Sequence, residues 1–209
     1  MVTGFFSYDG CPLCKKEPAE RFGLCESCVD NLSFSGEEIF TEKAFPIYAL
    51  LRENKLSSYM IQGLKFREER FWAKVFGEMA ADFYRHMDLG PFDAVVCVPT
   101  SAKKRRIRGY NPPELVARVL AEAIGVPYEE PLAFKRKVRD QIGLGARERA
   151  RNVHDAFVAH KVMGKHLLLI DDTYTTGATM KACEKALTEA GAASVTGLVC
   201  IKARDVNMD

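Results

Sequence analysis

From Ala44 onward, short apolar runs alternate with helical stripes. FPIYALL reads as a strand. Tyr59, Ile61, Leu64 and Phe66 suggest a short helix, and Phe71, Val75, Met79 and Phe83 mark a longer one over 70–86. DAVVCVP, from Asp93 to Pro99, is an unbroken apolar run of the kind that fills a buried parallel strand. Pro112 and Pro113 suit a first helical turn, followed by the stripe Leu115, Val116, Val119, Leu120 and Ala123 and a stop at Gly125. VPYEEPLAF is a weaker strand pattern, and the basic, glycine-punctuated stretch 135–151 reads as a long loop. LLLIDD reads as a strand ending at Asp171 and Asp172. A helix follows from Thr179 to Ala190, with Ala182, Cys183, Ala186 and Leu187 on one face, and SVTGLVCI closes as a strand. Strands alternating with helices predict an α/β fold, its mostly parallel sheet covered on both faces. There is no internal repeat.

The residues before Ala44 follow a different logic. CPLCKKEPAERFGLCESCVDNL places Cys11, Cys14, Cys25 and Cys28 in a C-x2-C-x10-C-x2-C pattern. Two residues between cysteines let both thiolates reach one tetrahedral ion, and two such pairs make a closed four-sulfur shell. A closed shell leaves no open coordination position, so the expected Zn²⁺ is structural. A unit this short has almost no core of its own, and metal binding would supply its folding energy. The competing reading is a redox pair. The polar SFSGEE that follows sets the expected boundary near Gly36, giving a ribbon over 1–36 and a main domain over 37–209. Cys97, Cys183 and Cys200 sit among apolar neighbours and read as small core residues.

Bulk composition narrows the partners. The 209 residues include 30 Lys and Arg against 28 Asp and Glu, so any nucleic-acid contact must come from local clusters rather than net charge. No apolar run is long enough to cross a bilayer, and membrane insertion is not expected. MVTGFFSYDG lacks the features of a secretory leader, which makes a cytoplasmic location the expectation.

The chemistry concentrates in LLLIDDTYTTGAT. Ligands of parallel sheets bind beyond the carboxyl ends of the strands. A helix N-terminus near Thr179 would present free N–H groups to an anion. Thr175, Thr176 and Thr179 add hydroxyls, and Gly177 permits close backbone approach. Carboxylates repel phosphate, so Asp171 and Asp172 need another task; two adjacent acceptors suit a vicinal diol such as that of ribose. An anion cradle beside a diol clamp describes a ribose 5-phosphate site. The alternative is a capping aspartate followed by threonine-rich turn chemistry.

IDDTYTTGAT resembles the signature of the type I phosphoribosyltransferases, which bind phosphoribosyl pyrophosphate (PRPP). Thr173 stands where that pattern usually has an aliphatic residue. VPTSAKKRRIRGYN and QIGLGARERARN follow the order seen in the ComF family, which joins a zinc ribbon to such a domain, and the resemblance covers nearly the whole chain. Thr100, Ser101 and Ala102 replace the family's usual aliphatic residue and second proline, and Pro112 replaces its usual glutamine.

The resemblance implies a type I phosphoribosyltransferase sheet behind a four-cysteine ribbon. It implies phosphate contacts from Tyr174, Thr175, Thr176, Gly177, Ala178 and Thr179, with Asp171 and Asp172 on the ribose. Thr100, Ser101, Ala102, Lys103 and Arg106 would form a pyrophosphate loop, and Gln141, Arg149 and Asn152 would belong to a mobile hood. Lys65, in GLKFRE, also matches a family lysine. Mg²⁺ would accompany PRPP. Natural competence, the uptake of transforming single-stranded DNA in bacteria, is the implied setting. It would bring single-stranded DNA and a competence helicase or other DNA-processing proteins as partners.

The basic run Lys103, Lys104, Arg105, Arg106 and Arg108 is open to three readings: pyrophosphate, a nucleic-acid backbone or a solvated face. His86, His154, His160 and His166 share no motif, and no base for an acceptor stands out. A transferase of unknown acceptor, a DNA-processing accessory factor and a PRPP-binding regulator without turnover all remain open.

Overall fold

A computed structural model describes residues 10–36, 38–39, 45–135 and 156–204. Its centre is a four-stranded, all-parallel sheet made of β1 (Ile47–Arg52), β2 (Ala94–Cys97), β5 (His166–Tyr174) and β6 (Ser194–Lys202), in the order β1-β6-β5-β2. Helices α2 (Lys55–Phe66), α3 (Phe71–His86) and α5 (Pro112–Ile124) form one layer. Helix α6 (Ala178–Glu189) and the antiparallel hairpin of β3 (Leu132–Phe134) and β4 (Phe157–Ala159) form the other. Alternation along β5 serves both: Leu168 and Ile170 pack with the first layer, Leu167 and Leu169 with the second.

Three expectations need correction. Strand β5 does not stop at the acids but stays paired with β6 as far as Tyr174 opposite Lys202. VPYEEPLAF does not extend the main sheet as a strand; Tyr128 bridges to Val95, and Leu132–Phe134 pairs with β4 instead. The basic run is a short helix, α4 (Ala102–Arg108), whose Ser101 side chain accepts from the Lys104 amide at 3.3 Å and which ends at left-handed Gly109. Helix α2 is also longer than the apolar spacing suggested. Its start is fixed by Asn54, whose side chain accepts from the amides of Leu56 and Ser57 at 2.9 Å each.

The four-cysteine unit shares the core of the main sheet. A short 3-10 turn (Arg21–Gly23) and α1 (Glu26–Asp30) frame the second cysteine pair. Leu24, Cys25, Cys28, Val29 and Leu32 are buried in the same cluster as Leu51, Trp72 and Phe76. The chain leaving this unit then runs antiparallel beside β1, with bridges from Phe34 to Leu51 and from Glu38 to Tyr48. It thereby covers what would be an open sheet edge.

Candidate functional site

A cleft of about 470 Å³ opens at the carboxyl ends of β2 and β5. Its floor carries Asp171 and Asp172, and its walls carry Thr100 and Ser101 after β2, Thr173 on β5, and Thr175 and Thr179 beyond it. Lys65 of α2 with Lys104 and Arg108 of α4 supplies the positive charge.

The two acids occupy different environments. Lys65 Nζ lies 2.7 Å from Asp172 Oδ1 and donates to Thr173 Oγ1 at 2.8 Å. Asp171 is the more buried acid and accepts from the Asp172 amide at 2.8 Å. Burial, followed by the charge of Asp172, pushes its carboxyl up to about 8. That amide bond and the charges of Lys65 and Lys104 oppose the rise but do not cancel it. At neutral pH the pair is therefore one protonated acid and one lysine-bound carboxylate, which answers the repulsion posed by adjacent acids at a buried position.

The pleat slips at this point. Simple alternation would put Thr173 with Leu169 and Tyr174 with Ile170. Instead Thr173 meets Lys65 of α2, and Tyr174 packs in the opposite layer. The slip lets a threonine anchor the lysine that holds Asp172.

Beyond β5 the chain turns through Gly177, whose φ is +71°. A Cβ there would lie 2.5 Å from Tyr174 Oη, so the turn needs glycine for both its backbone angle and its contact. Gly177 offers α6 no side-chain cap. Thr176 Oγ1 accepts from the Ala178 amide at 3.4 Å, while the amides of Thr179 and Met180 have no acceptor among the described residues. Unpaired amides, a helix dipole and two threonine hydroxyls facing the cleft can receive an anion.

The β2 side is pinned from beneath. Asn111, buried at the start of α5, donates to Val98 O at 3.0 Å and to Cys97 Sγ at 3.5 Å. Cys97 also shares a hydrogen bond with Tyr128 Oη at 3.1 Å, and burial lifts its thiol to about 12. Cys97, Cys183 and Cys200 are all buried, as expected of core residues.

Sequence reasoning and geometry differ over which basic residues face the cleft. Thr100 and Ser101 line it, but Ala102, Lys103 and Arg106 do not; Lys104 and Arg108, one helical turn apart, take that place. Tyr174, Thr176, Gly177 and Ala178 shape the loop rather than line the cleft. Gln141, Arg149 and Asn152 lie outside the described residues. Phe66, Phe134 and Asn111 line the cleft without a signal in the sequence, because an aromatic or amide beside a loop has no periodic signature.

Cys11, Cys14, Cys25 and Cys28 bring their sulfurs within 4.8 Å of one another. Metal–sulfur bonds of about 2.3 Å in a tetrahedron require sulfurs just under 4 Å apart, and the Cys14–Cys25 separation is 3.6 Å. The donor set fits a thiophilic ion. Backbone hydrogen bonds from Lys16 and Glu17 bring the Cys14 thiol down to about 7, whereas burial raises those of Cys25 and Cys28.

A parallel sheet with paired acids on a central strand, followed by a threonine-lined turn into a helix, defines a phosphoribosyl transferase domain, and the pattern of that domain matches residues 72–206. The chain is 31% identical to the Streptococcus pneumoniae competence protein ComFC over 190 residues, 90% of this chain and 78% of that protein. It is 27% identical to the Haemophilus influenzae competence protein F over 196 residues, 87% of this chain and 85% of that one. Against the Salmonella typhi DNA utilization protein YhgH it is 33% identical over 105 residues, which span 49% of this chain and 46% of that relative's length. With its four-cysteine unit in front of the transferase domain, the chain belongs to the ComF family.

Proposed function

We propose that the chain binds PRPP in this cleft and acts in the handling of incoming single-stranded DNA during natural competence. The observation that carries the ligand is the pairing, in one cleft, of Asp171 and Asp172 with the anion-receptive turn from Thr175 to Thr179. Protonated Asp171 donates to one ribose hydroxyl, and ionised Asp172 accepts from the other. The hydroxyls and free amides at the start of α6 hold the 5-phosphate. Lys104 and Arg108 face the pyrophosphate.

Transfer would break the anomeric C–O bond, with the electron pair leaving on pyrophosphate and an acceptor nucleophile closing on the carbon. Positive charge develops on the ribose ring, and the neighbouring carboxylate Asp172 stabilises it. Mg²⁺, when bound, neutralises the leaving pyrophosphate. Asp172 is already engaged by Lys65, so the ion would be carried chiefly by the phosphates. Zn²⁺ would occupy the four-cysteine cluster as a structural ion. The competence setting is supported by the two competence relatives that align along most of the chain.

Calorimetric titration of PRPP with Mg²⁺ tests the ligand. Saturable binding to the native chain, lost in the double substitution Asp171→Asn with Asp172→Asn, is expected. Binding that persists in the double variant moves PRPP out of this cleft. Pyrophosphate release with nucleobase, nucleotide and DNA acceptors separates a transferase from a PRPP-binding regulator.

A further inference from the structure

One corner of the molecule, beside the cleft, is built of arginines and aromatic rings. The end of α2, the start of α3 and the end of α4 meet there. Phe66 is 71% exposed and Ile107 73%, with Phe71 and Tyr59 also exposed. Large apolar side chains this open at one corner mark an interaction surface.

Each nearby ring carries a guanidinium. Arg67 lies 4.2 Å from the Tyr59 centroid, Arg70 4.5 Å from Tyr110 and Arg108 4.8 Å from Phe66. Tyr110 donates to Leu64 O at 2.6 Å, which ties the loop after α4 to the end of α2.

The corner's charge is only partly neutralised. Arg67 is paired with Glu69 at 3.0 Å and Arg105 with Glu114 at 3.6 Å. Arg70, Lys103, Lys104, Arg106 and Arg108 have no ion-pair partner among the described residues, and Glu68 and Glu69 are the acids interleaved with them in sequence.

We infer that this corner is a docking surface for single-stranded nucleic acid. Exposed faces of Phe66 and Phe71 stack unpaired bases, and the free cations of α4 with Arg70 track the phosphates. A duplex keeps its base faces covered and cannot use the rings. A peptide acid could satisfy the cations but would leave the flat aromatic faces without a matching surface. Phe66 and Arg108 also line the cleft, so a strand on this surface reaches the cleft mouth. The nucleic-acid class rests on the proposed competence role, whereas the surface itself rests on the exposed rings and unpaired cations.

The test is fluorescence anisotropy with a labelled oligothymidine, its abasic counterpart and a duplex of equal length, alongside PRPP calorimetry on the same preparations. Oligothymidine should bind at least tenfold more tightly than the abasic strand or the duplex. Phe66→Ala should weaken it about fivefold or more, as expected when one stacked base is released. Arg70→Gln with Lys103→Gln should flatten the salt dependence by roughly 0.7 for each phosphate no longer neutralised. Circular dichroism checks that each variant is folded. Equal binding of abasic and base-bearing strands, or folded variants with native affinity and salt slope, overturns the proposal. A chain that binds PRPP but no oligonucleotide refutes this surface alone; one that prefers oligothymidine to this extent but binds no PRPP refutes the ligand reading and leaves this surface standing.

Discussion

Asp171→Asn should make the protein more stable. The carboxyl of Asp171 rises from its ordinary 3.8 to about 8, mainly through burial and then through the charge of Asp172. A carboxyl with a raised folded-state pKa holds its proton more tightly in the native state than in the unfolded chain. Stability therefore falls as pH climbs from the unfolded value to the folded one, and the loss is complete above about 8. At pH 7 the gap of roughly three pH units corresponds to about 4 kcal/mol, and water entering the open cleft reduces this to about 2–4 kcal/mol. Asparagine does not titrate, fills the same volume and keeps an oxygen for the Asp172 amide. For a chain of this size, the gain should raise the melting temperature by about 5–10 °C at neutral pH. Melts followed by circular dichroism between about pH 5 and pH 8.5 test it. The advantage of the variant should be small at the acidic end and grow until about pH 8. An advantage independent of pH, or a variant less stable throughout, would refute the claim that Asp171 is a buried acid forced to ionise.

Other predictions follow from neighbouring contacts. Lys65→Met removes the cation of Asp172 in a largely buried pair and should cost about 1–3 kcal/mol in urea denaturation, with much of that cost absent when Asp172→Asn is already in place. Gly177→Ala forces a left-handed residue and a side chain against Tyr174, so it should cost more than the roughly 1–2 kcal/mol of the backbone strain alone, measured the same way. Stripping the four-cysteine site with a chelator should red-shift the emission of Trp72, the single tryptophan, because that unit shares its core; loss of metal with no spectral change would show the two to be independent.

The order of strands and helices was legible because buried parallel strands and amphipathic helices each leave a strong period. The acids, the threonine turn and the four cysteines were legible because their spacing carries the chemistry. Other features left no such trace. Strand β5 continues through Asp171-Asp172-Thr173, and polar residues at a cleft look like a strand end whether or not the ladder persists. Helix α4 buries none of its residues, so it has no apolar stripe to reveal it or to show that Lys104 and Arg108, rather than Lys103 and Arg106, face the cleft. The β3–β4 hairpin joins segments separated by a long polar stretch, and such a pairing has no local signal. Thr173 was visible as a departure from the family pattern. Its bond to Lys65 depends on the slipped pleat and could only be seen in three dimensions.

The strand order also governs assembly. Strand β6 lies between β1 and β5, so Ile47 waits for Gly197, roughly 150 residues later, before it gains its parallel partner. During vectorial synthesis the four-cysteine unit and β1 emerge first, while the strand that joins the two halves of the sheet emerges last of the four. Pairing at such a distance is slow to nucleate and leaves apolar surface exposed in the interval. The antiparallel segment beside β1 covers one flank of that strand through bridges at Leu51 and Tyr48. Early capture of a metal ion would fix its origin. The amino-terminal unit would then serve the nascent chain as a built-in escort, shielding one edge of β1 until the last sheet strand arrives.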